Sequence, residues 1–315
     1  MKGCGRVMIK TKTLFILGAG ASNSFRYPTS QELRNEIIEG KYIHEVAKAF
    51  SIHVAGISDR GMYDNEIRKF VEAYKKSGVY SIDAFIEKRQ EYMAFGKMII
   101  TASLLRRENI ISLTKTEENW YMYLFNRIKD TIVEQPESVI SFITFNYDRS
   151  LEQFLFNAIK EYNNLQPPDC IKVLKKIPIA HLYGQINYLP WQQQENTFTY
   201  LNDSKSYVAR LIDSLKNIKL IGEEREIEES EVFQEAYKLI EKAKKIYFLG
   251  FGYDETNLDR LRIENMRGKN IVGSVLDVEK SKLNFINKYF SSKGAPIQTV
   301  PGTALATLSD TLDYE

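Results

Sequence analysis

The stretch Leu14-Phe15-Ile16-Leu17-Gly18-Ala19-Gly20-Ala21-Ser22 constrains this chain more than any other. Four apolar residues without polar alternation read as a strand buried on both faces, the kind found in parallel sheets. Gly-Ala-Gly-Ala-Ser then turns that strand into a glycine-rich loop. Glycine tolerates positive φ and lets backbone N–H groups come close to a ligand, so a loop of this kind at a helix start can receive a pyrophosphate. The full dinucleotide fingerprint has a third glycine, and Asn23-Ser24 stand where it would come. Taken alone, the segment fits a tight turn without a ligand equally well.

Further apolar runs end in the same manner. Ser138 to Phe145 leads into Asn146-Tyr147-Asp148, Ile177 to Leu182 into Tyr183-Gly184, and Lys245 to Leu249 into Gly250-Phe251-Gly252. Strands are also predicted at Asn270 to Val278, which contains Asp277, and at Ile297 to Val300. Helical patterns fall between them at residues 149–162, 232–244, 255–266 and 279–290, with a short helix at 206–215. Pro167-Pro168 reads as a loop, the rest of 192–225 as irregular surface, and the acidic run 223–231 as a solvated helix start. Strand and helix in alternation imply parallel pairing, hence an α/β, Rossmann-like, mostly parallel sheet of about six strands with helices on both faces.

Between the first two strands the pattern is almost wholly helical. Thr29 or Ser30 is suited to cap an entry helix. Helical faces follow at 63–76, from Ser81 to about Leu113, and from Glu117 through Trp120 to Ile132. Their aromatic residues read as core stripes. A connection of this length far exceeds an ordinary βα loop. The expected organisation is therefore a Rossmann-like domain made of residues 1–30 and 136–315, with a helical insertion at 31–135.

The 43 basic and 41 acidic residues leave a net charge of +2, which gives no ground for direct nucleic-acid binding or an anionic membrane partner. Two cysteines, Cys4 and Cys170, cannot build a four-cysteine zinc site and suit a reducing compartment. No run approaches the roughly 18 to 20 apolar residues of a membrane span. The expectation is a cytoplasmic protein without metal, its first residues forming a loose tail ahead of a second possible start at Met8.

Open α/β sheets place ligand groups at the carboxyl ends of their strands. Asn146, Asp148 and His181 stand at such ends. Asp148 could instead cap the helix that follows, and a lone histidine often serves packing rather than chemistry.

Gly18-Ala19-Gly20-Ala21-Ser22, Thr144-Phe145-Asn146-Tyr147-Asp148, His181-Leu182-Tyr183-Gly184 and Gly250-Phe251-Gly252-Tyr253, in this order, resemble the sirtuin superfamily. Most closely they are similar to the bacterial sirtuin-like NAD-hydrolysing domains of anti-phage defence systems, and Ser81-Ile82-Asp83-Ala84-Phe85 is similar to a segment of that group. The chain departs from the protein-deacetylating members in lacking the zinc module and the extended Gly-Ile-Pro-Asp-Phe-Arg segment. It departs from the defence domains in having Tyr183 where they often have histidine.

The resemblance implies an NAD glycohydrolase that takes NAD as substrate and releases nicotinamide with ADP-ribose or cyclic ADP-ribose. It implies Asn146 acting on the ribose and water, His181 as base, and Asp148 orienting the nicotinamide pocket. Gly18, Ala19, Gly20, Ala21 and Ser22, flanked by Thr144 and Gly184, would hold the pyrophosphate side, and Gly250, Gly252 and Asp277 the adenosine half. It further implies a homo-oligomer and a regulating partner such as a helicase-type ATPase or a short Argonaute; the helical insertion, residues 31–135, is the expected oligomer or partner surface. A zinc-free NAD-dependent deacylase or ADP-ribosyltransferase, or a non-catalytic sensor of NAD or ADP-ribose, would use the same residues.

Overall fold

The computed structural model describes residues 9, 11–58, 61–134, 139–200, 206–220 and 227–312. The predicted amino-terminal tail apart from Ile9, the strand start at Ser138, the boundary at 136 and the acidic residues 223–226 lie outside the described residues. Six strands, β1 (Thr13–Leu17), β2 (Ile140–Thr144), β3 (Ile179–His181), β4 (Lys245–Leu249), β5 (Asn270–Val275) and β6 (Gln298–Pro301), form one sheet. Their order is β3-β2-β1-β4-β5-β6 and every pair is parallel. This is a Rossmann-like α/β sheet, and the chain order reverses between β1 and β4.

Successive strand residues point to opposite faces. Phe15, Leu17, Tyr247 and Leu249 enter one core, and Leu14, Ile16, Ile246 and Phe248 the other. The first core also holds Phe70, Ile99 and Leu124 from helices between β1 and β2, so those helices share a continuous core with the sheet. The second is closed by Phe233, Leu258 and Phe290, from the helices Glu231–Lys242, Glu255–Arg260 and Lys280–Ser292.

Local chemistry explains where the elements depart from the sequence pattern. Thr29 caps the helix Ser30–Ile38 through a reciprocal box with Glu32. The expected helix from Ser81 to about Leu113 is divided into Ile82–Lys88, Met93–Leu105 and Ile110–Thr114. Ser81 caps the first piece and Asn109, accepting from the Ile111 N–H, starts the last. Pro167 and Pro168, expected in a loop, begin the helix Pro167–Leu174, where the first turn needs no proline N–H. A final helix, Ala304–Thr311, capped by Thr303, lies beyond the predicted elements.

An ionic cluster ties the insertion to the rest. Glu108 accepts from Arg149 Nε at 2.6 Å and Nη2 at 3.0 Å, and from Arg210 Nη2. Arg149 also donates to the carbonyls of Tyr188, Phe198 and Thr199, which fixes the irregular segment after β3. All three charged side chains are buried. No helix among the described residues is long and apolar enough to cross a membrane.

Candidate functional site

Strand register brings the four polar exits together. Leu17 pairs with both Thr144 and Leu249, and Thr144 pairs with His181, so residues 18–22, 145–148, 182–184 and 250–253 leave the sheet side by side. They do so where the strand order reverses, the place at which open α/β sheets bind ligands. A cavity of about 1130 Å³ opens there. Its wall includes Gly18, Ala19, Gly20, Ser22, Asn146, Asp148, Gly250 and Gly252. The insertion supplies a further side through Ser81, Asp83 and Trp120.

The glycines serve the contact between two strand exits. A Cβ on Gly18 would stand 2.6 Å from the Gly250 carbonyl oxygen, and one on Gly20 2.9 Å from Gly250 Cα. The Gly18 N–H donates to Leu249 O at 3.1 Å, Gly20 N–H to Gly250 O at 2.9 Å, and Ala21 N–H back to Gly18 O at 2.9 Å. The predicted phosphate loop therefore has three of its amides already engaged. Ala21 is buried outside the cavity wall, and its carbonyl accepts from Trp120 Nε1 at 2.7 Å. An aromatic read as core packing thus also pins the loop.

Asn146 is held in a defined orientation in the wall. Its Nδ2 donates to Gly18 O at 2.9 Å and to Ser22 Oγ at 3.0 Å. A carbonyl oxygen can only accept, which fixes which end of the amide is nitrogen. Oδ1 has no hydrogen-bond partner among the described residues and is the end left for the cavity. Thr144 is outside the wall but holds the turn by accepting the Asn146 N–H on Oγ1 at 3.0 Å.

Asp148 shares the same serine. Ser22 Oγ donates to Asp148 Oδ2 at 2.7 Å, while Oδ1 receives the Ser150 N–H at 3.0 Å and the Ser150 hydroxyl. The residue thus both faces the cavity and anchors the start of the helix Ser150–Tyr162. Burial raises its carboxyl above the usual carboxylate range, against the lowering by the Ser150 and Ser22 hydrogen bonds.

His181 takes a different place from the one expected of a base. It is not part of the cavity wall, its side chain is 10% exposed, and both ring nitrogens are engaged. Nδ1 lies 3.0 Å from the Asn146 backbone carbonyl and Nε2 2.5 Å from Glu152 Oε1. Burial pushes the imidazole down, but the Glu152 carboxylate and the Asn146 carbonyl more than offset it, leaving a raised pKa. Tyr183, two residues on, does line the cavity. Its hydroxyl receives Arg260 Nη1 at 2.6 Å and donates to Asn257 Oδ1 at 2.8 Å, and burial pushes it up to about 12.

Two other predicted contacts also lie outside the wall. Gly184, at φ 75°, is crowded by the Asn217 carbonyl, so its glycine serves the approach of that segment. Asp277 is exposed on the turn after β5, between the wall residues Leu276 and Val278. Glu152 carries no distinctive sequence signal, because an acid in a helix's first turn is ordinarily explained by the dipole. Among the described residues, no group of three or more His, Cys, Asp or Glu side chains is placed to hold a metal ion. No protein-family model matches the sequence, and no curated protein matches it.

Proposed function

We propose that this cavity binds NAD and cleaves its nicotinamide–ribose bond, giving nicotinamide and ADP-ribose or its cyclic form. The observation that carries the reading is the fixed orientation of Asn146, whose free Oδ1 is available to a cavity in which a sugar cation would form. Nicotinamide in NAD is already cationic, so it departs as a neutral base with the electron pair of the bond and needs little acid help. The anomeric carbon passes through an oxocarbenium-like state. Asn146 Oδ1 stabilises that positive charge and orients the attacking water. Asp148 takes the water's proton, directly or through the Ser22 hydroxyl that bridges it to Asn146. Cyclisation follows when a group of the same nucleotide replaces water.

The engaged ring of His181 favours a second reading, a module that senses NAD or ADP-ribose without cutting it. Chromatography of NAD incubated with the purified protein separates the two. Nicotinamide release that is lost in Asn146→Ala supports cleavage; NAD that binds and is recovered intact, with or without cell extract, sinks it in favour of sensing. A role in depleting NAD during phage infection in the bacterial cytoplasm, with a homo-oligomer and a helicase-type ATPase or short Argonaute as partner, rests on the motif resemblance alone.

A further inference from the structure

The pair formed by His181 and Glu152 lies directly behind Asn146. Nδ1 faces a backbone carbonyl, which can only accept, so this nitrogen carries a proton. Nε2 faces a carboxylate, which accepts when ionised. Both bonds are met when the ring is an imidazolium and Glu152 its counter-ion. A ring in that state has no lone pair to offer a substrate. The Glu152 side chain is 7% exposed and the His181 side chain 10%, so the pair is largely shielded from water. Asp148 is the other charged group acting on the ring.

The carbonyl held by His181 belongs to Asn146 itself. That residue is therefore fixed at three points: its N–H by Thr144 Oγ1, its carbonyl by His181, and its side-chain nitrogen by Gly18 and Ser22. Helix Ser150–Tyr162 carries Glu152 and β3 ends in His181, so the pair links two separate elements to the one residue between them.

We propose that Glu152 and His181 are a positioning pair, in which Glu152 holds the imidazole ring and the ring holds the Asn146 backbone so that Oδ1 stays aimed into the cavity. The catalytic consequence rests on the reading of the cavity as an NAD-cleaving site; the geometric claim does not. Glu152→Gln keeps both hydrogen bonds through a neutral ring, because the Gln amide can donate to Nε2. Glu152→Leu removes the acceptor and leaves the ring unheld.

The test uses the full chain labelled at histidine and asparagine, read by NMR, together with NAD turnover. The His181 signal is identified by its loss in His181→Gln. The proposal expects the His181 titration midpoint to fall in Glu152→Gln, and the Asn146 side-chain amide signal to stay in place there but to shift or broaden in Glu152→Leu. It also expects kcat for NAD to fall about tenfold or more in Glu152→Leu with KM within about twofold, and to remain within about threefold of wild type in Glu152→Gln. An Asn146 amide signal unmoved in folded Glu152→Leu overturns the proposal, as does a midpoint unmoved in Glu152→Gln. Should wild type leave NAD intact while the NMR results come out as expected, the cleavage reading fails and the positioning pair stands.

Discussion

Replacing Asn146 by aspartate tests the site's hydrogen-bond geometry with almost no change in shape. Asn146→Ala removes two neutral hydrogen bonds, those of Nδ2 to Gly18 O and Ser22 Oγ. Both acceptors keep other partners, Ala21 N–H and Asp148 respectively, so the cost stays at about 1–2 kcal/mol. Asn146→Asp loses the same bonds and adds a carboxylate. Ser22 Oγ donates to Asp148 Oδ2 at 2.7 Å and accepts from Asn146 Nδ2 at 3.0 Å, which puts the two carboxylates within about 6 Å of each other. At an effective dielectric of about 20 their repulsion is ~3 kcal/mol. That is enough to raise the pair's upper pKa well above that of a lone carboxylate. The folded variant then binds a proton that the unfolded chain does not, so its stability recovers as pH falls through the raised value. Urea unfolding at pH 5.5 and 8 reads this directly. The expected result is an Asn146→Asp variant some 2–3 kcal/mol less stable than Asn146→Ala at pH 8, with the gap narrowing at pH 5.5. Equal stability of the two variants at both pH values would refute the placement of this side chain against Ser22 and Asp148.

Three further outcomes follow from the same geometry. Glu108→Gln leaves the buried Arg149 and Arg210 guanidinium groups without their carboxylate and is expected to cost ~3–5 kcal/mol, read as a lowered urea midpoint. Gly250→Ala forces a side chain against the backbone of Ala21 at a positive φ, whereas a Cβ on Gly252 meets nothing within 4 Å; the first variant is expected to lose at least about 2 kcal/mol more than the second in thermal unfolding. The raised pKa of His181 stabilises the fold fully below the ordinary imidazole value near 6.5, and this contribution disappears as pH rises through the raised value. The melting temperature of wild type should therefore drop more between pH 6 and 9 than that of Glu152→Gln, and an equal drop in both would contradict the ion pair.

The carboxyl end of the sheet is the part of this protein most legible in its sequence. Each of β1, β2 and β4 is a mostly apolar, mostly buried run that stops at a glycine or a polar cluster, and local composition is enough to mark such stops. Residues 18–22, 145–148 and 250–252 leave the same end of the sheet, because parallel strands have their carboxyl termini on one side. Element boundaries were less legible. Pro167-Pro168 is equally compatible with a loop and a helix start, and the breaks near Arg89 and Asn109 interrupt a segment without glycine or proline punctuation nearby.

Local caps such as Thr29 are legible, but long-range side-chain partnerships are not. Whether His181 faces the cavity or Glu152 depends on how β3 meets the helix that starts at Ser150, a tertiary fact between residues 29 positions apart. The Glu108, Arg149 and Arg210 cluster joins three distant segments for the same reason. Trp120 shows the converse, since its burial was evident from the helical stripe while its bond to Ala21 O was not.

The central claim is that Asn146 Oδ1 acts on bound NAD. Nicotinamide release at saturating NAD, measured for wild type and Asn146→Ala with NAD occupancy followed by calorimetry, tests it most directly. The account predicts comparable occupancy, with release at least ~10²-fold slower in the variant, the scale of losing one charge-stabilising group in a preorganised site. Equal release from both proteins, or wild type that takes up no NAD, would contradict it.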